Sequence, residues 1–201
     1  MVHLYIIRHG ETEENAAGIL QGHMPGHLTE KGRTQAAQTR ERLIGMGAKP
    51  DTLLCSDLLR AVETARTVNE AYRLPLCPTP LLRERDWGAM TGTLIKDAAG
   101  LQRFPDDVES VEAMTLRARR LLARLLADYD GRCVLCVGHG LFNRCLIGAA
   151  EGRTLHDVPR MDNGEVRELF LNSLPGTTDT PNGVSTSATQ GAKNADEASA
   201  N

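Results

Sequence analysis

Short apolar stretches alternate along the chain with longer segments in which apolar residues recur every three or four positions. Residues 3–8, 52–56, 133–138 and 166–171 have the length and the aliphatic character of strands. Leu58, Val62, Ala65, Val68 and Tyr72 fall at helical spacing, as one buried stripe requires. Val111, Ala118, Leu122, Leu125, Leu126 and Tyr129 do the same, and Gly131 then supplies a residue suited to a left-handed helix end. Residues 29–46, polar at their start, and 140–150 predict two further helices. Strands alternating with helices predict an α/β fold with a largely parallel sheet, and no internal repeat interrupts the pattern.

The pattern stops after Asn172. Residues 173–201 contain no aromatic residue and only Leu174 and Val184 as large aliphatics, too little apolar surface to offset the entropy of ordering them. The reading is one folded unit over residues 1–172 followed by a disordered polar tail, and 201 residues are enough for one domain with a substantial core. Aromatic residues make up only 3% of the chain, so the core is built from aliphatics. So few rings also argue against base-stacking nucleic-acid modules. A net charge of −3 points the same way, because a nucleic-acid or membrane-surface binder carries a basic excess. The first residues lack the basic start and cleavage site of a signal peptide, and no run of ~18 apolar residues is present. A cytoplasmic location and no membrane partner are the expectation. Five cysteines, odd in number and mostly among apolar residues, suit reduced core thiols. Cys133 and Cys136 make a C-x-x-C, but within a strand they point to opposite faces.

Ligands of open α/β sheets bind beyond the carboxyl ends of the strands. There the first strand ends in Arg8-His9-Gly10-Glu11-Thr12, the second leads through Ser56-Asp57 to Arg60, and the third ends in Gly138-His139-Gly140. One such histidine reads as a solvated or capping residue. The set reads differently, because Arg60 lies near a helix N-terminus, where the macrodipole disfavours a cation unless an anion sits nearby. Arginine forks match phosphate oxygens, and a neutral imidazole between them is a nucleophile for phosphorus, so the set predicts phosphoryl transfer. No G-x-x-x-x-G-K-[ST] and no G-x-G-x-x-G is present, and Gly138-His139-Gly140 lacks the serine of a hydrolase elbow. His23 and His27 are separated by Pro25 and Gly26, which break the helix that would align them, so no metal and no cofactor are expected.

These residues carry a resemblance. Leu4-Tyr5-Ile6-Ile7-Arg8-His9-Gly10-Glu11-Thr12-Glu13-Glu14-Asn15 resembles the R-H-G-[ET] signature of the histidine phosphatase superfamily, phosphoglycerate-mutase-like branch, with its downstream asparagine. Leu20-Gln21-Gly22, residues 28–36, 56–65 and 82–88, and Gly138-His139-Gly140 follow in the family's order, so that the likeness covers nearly all of residues 2–150. It implies a three-layer α/β/α fold with a mostly parallel central sheet. It further implies that His9 is the nucleophile that becomes phosphohistidine. Arg8, Arg60 and His139 would surround the phosphate; Asn15, Gln21, Gly22 and Gly140 would line substrate oxygens; Glu84 would be the proton donor and then the base for water. In-line displacement needs cations on the equatorial oxygens and an acid beside the leaving oxygen. His9 must also keep its attacking nitrogen free, with the other ring N–H held by an acceptor. By itself Arg83-Glu84-Arg85-Asp86 reads as a solvated charge cluster, and the following Trp87-Gly88 with the family match reverses that. Arg83, Arg85 and Lys96 are candidates for a second anionic group on the substrate, and Trp87 reads as a packing anchor. The segment between Gly92 and Gly131 is short for a mutase, which must exclude water from its phosphoenzyme. The expectation is a phosphatase acting on a small phosphorylated metabolite, ahead of a phosphoglycerate mutase or a non-catalytic phospho-ligand binder. The oligomeric state stays open.

Overall fold

The computed structural model describes residues 1–98, 101 and 103–175. Its strands β1 (Val2–Arg8), β2 (Thr52–Ser56), β3 (Leu76–Thr79), β4 (Cys133–Gly138) and β5 (Val166–Leu171) form one sheet in the order β3-β2-β4-β1-β5. The first four run parallel and β5 is antiparallel to β1. Four of the strands are those the apolar runs predict. The exception is β3, whose Leu-Cys-Pro-Thr is too short to display alternation and contains a proline. It occupies the edge of the sheet beside β2, where the missing N–H of Pro78 is tolerated.

The helices are α1 (Glu13–Ala16), α2 (Glu30–Gly45), α3 (Leu59–Asn69), α4 (Ile95–Ala98), α5 (Val111–Asp128) and α6 (Gly140–Glu151). Thr29 caps α2 by accepting the Gly32 N–H at 2.9 Å, and Ser110 caps α5 through the Ala113 N–H. Alternation along the strands sends side chains to two separate cores. Leu4, Ile6, Leu54, Val134 and Cys136 pack with Met114, Leu122, Phe142 and Leu146 of α5 and α6. Tyr5, Ile7, Leu53, Cys55, Leu135 and Val137 pack with Leu43, Ala61, Ala65 and Val68 of α2 and α3. The result is three layers, helices on both faces of a mostly parallel sheet. Cys133 and Cys136 lie against different cores, and burial pushes the Cys136 thiol up to about 12. Among the described residues no helix is long and apolar enough to cross a membrane.

Leu174 packs against the first core, and Arg119 Nη2 donates to the Pro175 carbonyl at 2.6 Å. Of the segment read as a tail, residues 176–201 lie outside the described residues. Arg8 and Gly138 are register partners at the carboxyl ends of β1 and β4, with β2 ending alongside, and the chemistry-bearing residues gather there.

Candidate active site

The loop after β1 is fixed from several sides. The His9 N–H donates to the Gly138 carbonyl at 3.0 Å, and the His9 carbonyl accepts from Asn163 Nδ2 at 3.0 Å. The Gly10 N–H donates to Thr64 Oγ1 at 3.1 Å, and that hydroxyl donates to the Arg60 carbonyl at 2.8 Å. The loop passes so close to α2 that a Cβ on Gly10 would stand 2.3 Å from the Gly32 carbonyl oxygen, and one on Gly32 only 2.1 Å from that of Glu11. Thr12 caps α1 and orients Asn15, whose Oδ1 accepts from the Thr12 N–H and from Asn163 Nδ2, leaving Nδ2 as its donor.

His9 is 3% exposed, with Nδ1 2.7 Å from the Gly10 carbonyl oxygen. A carbonyl only accepts, so Nδ1 carries the proton and Nε2 keeps its lone pair. Burial, then Arg60 and Arg8, hold this histidine well below the ordinary imidazole range, against a smaller upward pull from the Gly10 carbonyl. His139 is fully buried with its ring centroid 5.0 Å from that of His9, and burial followed by Arg60 and His9 depresses it likewise. Among the described residues, neither ring nitrogen of His139 has a hydrogen-bond partner.

Arg60, in the first turn of α3, is 1% exposed. Its Nη1 donates to the Met24 carbonyl at 2.6 Å and its Nη2 to that of Gly22 at 2.9 Å, while the buried Nε has no partner among the described residues. Burial is the main force bringing its pKa down to about 10, opposed by Glu84 and Glu14. Arg8 donates through Nη1 to the Met161 carbonyl at 2.6 Å and likewise leaves a buried Nε unpartnered. A Cβ on Gly140 would come within 3.1 Å of that Nε, so the glycine lets the start of α6 approach the guanidinium. Gln21 is buried with its Oε1 unpartnered, and Gly22, at φ 50°, turns its carbonyl to Arg60. Buried Arg60 and half-buried Arg8, each with an unspent Nε, define a place for an anion.

Glu84 reaches the same place from the loop between β3 and α5. Its Oε1 accepts the Phe142 N–H at 3.0 Å and the Arg85 N–H at 2.9 Å, and its Oε2 accepts the Leu141 N–H at 3.2 Å. The cap residue of α6, His139, makes no side-chain cap, so Glu84 satisfies those orphan donors from a distance. The sequence-predicted residues Arg8, His9, Asn15, Gln21, Gly22, Arg60, Glu84, His139 and Gly140 therefore share one edge of the sheet. Two of the three candidates for a second anion site are used otherwise. Arg83 forms a two-pronged ion pair with Asp57 at 2.7 and 2.6 Å and holds that carboxyl below its usual range. Arg85 lies between Trp87 and Phe104, at 4.6 and 5.0 Å from the ring centroids, with its Nε on the Glu109 carbonyl. Trp87 packs edge-on against Phe104, and Lys96 is exposed on α4. His23 bonds the Glu84 carbonyl and His27 faces Glu63, so the two do not converge. Among the described residues no group of three or more His, Cys, Asp or Glu is placed to hold a metal.

Sequence reasoning names neither Thr64 nor Asn163 for the site. Thr64 leaves a trace, standing four residues after Arg60 on the buried face of α3. Asn163 and the Met161 carbonyl come from an aperiodic loop that reaches the site only because β5 pairs with β1.

The profile of the histidine phosphatase superfamily (branch 1) matches residues 4–173. An adenosylcobalamin/alpha-ribazole phosphatase of Salmonella typhimurium is 38% identical over 149 residues, 68% of this chain and 73% of that protein. A probable phosphoglycerate mutase GpmB of Enterobacter sp. is 32% identical over 166 residues, 76% of each. A solved structure of a putative alpha-ribazole-5'-P phosphatase from Escherichia coli superposes with a TM-score of 0.76 at 30% identity, covering 86% of this chain and 92% of that one. With a profile spanning residues 4–173 and all nine candidate site positions, the chain belongs to the histidine phosphatase superfamily, branch 1, and is a phosphomonoesterase of that family.

Proposed function

We propose that the protein hydrolyses a small phosphomonoester metabolite in two displacements through a phosphohistidine on His9. The observation that carries this reading is the state of His9, buried, fixed through Nδ1–H on the Gly10 carbonyl and held below the ordinary imidazole range by burial and by Arg60 and Arg8, each of which keeps a buried unpartnered Nε. In the first displacement Nε2 attacks phosphorus as the P–O ester bond breaks. Arg8, Arg60 and His139 stabilise the phosphoryl oxygens, and Glu84 gives its proton to the leaving oxygen. Oε2 of Glu84, with a single 3.2 Å contact, is the oxygen with a lone pair to spare for that proton. In the second, Glu84 takes a proton from water as the water oxygen attacks phosphorus. The P–N bond breaks, inorganic phosphate leaves, and both His9 and Glu84 return to their starting states. Asn15, Gln21, Gly22 and Gly140 border the phosphate and the first atoms of the leaving group.

Hydrolysis rather than mutase transfer is favoured by the build around residues 92–131. A mutase must seal its phosphoenzyme from water and hold both ends of a bisphosphate. Here the described part of that segment holds only the four-residue α4 and the helix α5, whose apolar face is spent on the core. The alpha-ribazole-5'-P named for the Escherichia coli structure heads the substrates to test.

Brief incubation with a ³²P-labelled monoester followed by denaturing quench is expected to leave acid-labile, alkali-stable label on the wild-type protein and none on His9→Ala. Full turnover by His9→Ala would sink the nucleophile assignment. A phosphate-release panel run beside a 2- to 3-phosphoglycerate interconversion assay is expected to give release alone. Interconversion outpacing release would make the protein a mutase.

A further inference from the structure

We infer that Arg117, paired with Glu109, is a positioning residue that sets the Glu84 carboxylate for its two proton transfers; the inference rests on the reading of Glu84 as acid and base. Residues 83–87 form neither helix nor strand, so the loop carrying Glu84 must be held from outside. Arg117 on α5 does this with all five of its N–H groups. Nε and Nη2 make a fork on the Glu109 carboxylate at 2.9 and 2.8 Å. Nη1 donates to the carbonyls of Leu81 at 3.1 Å and Arg83 at 2.7 Å, and Nη2 also reaches that of Glu84 at 3.5 Å.

Glu109 completes the clamp. Its Oε2 accepts the Asp86 N–H, its backbone N–H donates to the Asp86 carbonyl at 2.8 Å, and its carbonyl accepts Arg85 Nε. The pair thus binds residues 81, 83, 84, 85 and 86. The Arg117 guanidinium also lies 4.1 Å from the centroid of Phe142, whose own N–H holds Glu84 Oε1. One planar group therefore fixes both the loop that bears the acid and the helix turn that grips its carboxylate.

The side chains of Arg117 and Glu109 are only 17% and 16% exposed. Burying such a pair costs desolvation that apolar side chains of equal volume avoid, but apolar side chains offer nothing to three carbonyls. A misplacement of about 1 Å at a reacting group costs up to about 100-fold in rate, so the clamp bears directly on proton transfer.

The test compares leaving groups. 4-Nitrophenolate departs with little help from an acid, whereas an alkoxide requires it. The wild-type protein, Arg117→Lys, Arg117→Met, Glu109→Gln and Glu84→Gln are mixed rapidly with 4-nitrophenyl phosphate and, separately, with an alkyl monoester that the wild type turns over. Burst amplitude counts folded sites. In the Arg117 and Glu109 variants the first-turnover rate with the alkyl ester is expected to fall about 10- to 100-fold with KM little changed, while the nitrophenolate burst stays within about threefold of wild type. The pattern is then a weaker copy of Glu84→Gln. Equal losses with both esters, or no loss with either, overturn the positioning role if Glu84→Gln still shows the selective loss. If Glu84→Gln itself spares the alkyl ester, the acid–base reading underneath fails instead. Arg117→Lys and Glu109→Gln keep the test decisive where Arg117→Met does not fold.

Discussion

His9 and His139 lie buried between Arg8 and Arg60, so a proton on either ring adds a third positive charge to a volume already holding two. Both are depressed in the folded state relative to an unfolded histidine near 6.5. Below that value the unfolded chain binds protons that the folded one refuses, so stability is present above pH 6.5 and is lost as pH falls toward the folded values. Urea unfolding between pH 7.5 and 5 is expected to show a loss of about 1.4 kcal/mol per pH unit for each histidine, beginning near 6.5. His139→Asn should roughly halve the slope; an unchanged slope would place the uncompensated protons elsewhere. These residues were legible in the sequence because their signature blocks end apolar strands and open helices. The acceptor of the His9 ring proton was not, since it is the carbonyl of the next residue and depends on backbone angles that Gly10 adopts against α2. Nor did Arg83 and Arg85 advertise their partners, as Asp57 and Glu109 stand more than twenty residues away.

At the scale of elements, the His9 loop holds its place because it rests on the first turn of α2 with no side chain between. Gly32→Ala inserts a methyl group 2.1 Å from the Glu11 carbonyl oxygen, and no rotamer change relieves an overlap with backbone. Alanine in a helix ordinarily gains about 0.5–1 kcal/mol over glycine, and Gly45→Ala, at the other end of α2 with open space around its Cβ, should behave so. Gly32→Ala should instead lose about 1–3 kcal/mol by overpacking and shift the His9 loop, lowering kcat as well. Equal melting temperatures for the two variants would remove the close approach as a constraint. Periodicity announced the long helices and four strands within a residue or two, except that its stripe ran on to Tyr72 where α3 ends at Asn69. It passed over β3, α1 and α4, each four residues long and so shorter than the pattern that identifies such elements. It also placed Arg117 outside the apolar stripe of α5, without showing that a polar position would send three of its hydrogen bonds to a loop more than thirty residues earlier.

For the whole molecule, the acidic balance of the chain and the cationic site are two distributions of the same charges. A net −3 is spread over the surface, while Arg8 and Arg60 are drawn into the interior at the sheet edge. Few aromatics suit that division. Trp87, Phe104 and Phe142 sit against guanidinium groups around the Glu84 loop, and the proposed phosphate pocket is built from imidazoles and arginines. The chain stays on the first core past residue 172. Composition alone draws the boundary after residue 172, because Leu174 stands isolated in a polar stretch, and an isolated apolar residue gives no periodic signal. In three dimensions Leu174 packs on the first core and Arg119 holds the Pro175 carbonyl. A chain ending after Pro175 is therefore expected to keep the melting temperature and kcat/KM of the full chain. A chain ending after Asn172 loses a half-buried leucine and a hydrogen bond, together about 1–2 kcal/mol, or about 2–8 °C for a domain of this size. Differential scanning fluorimetry on the two truncations separates the cases. If both melt with the full chain, the contacts at Leu174 and Pro175 contribute nothing; if the longer one also melts early, residues beyond 175 contribute to the fold.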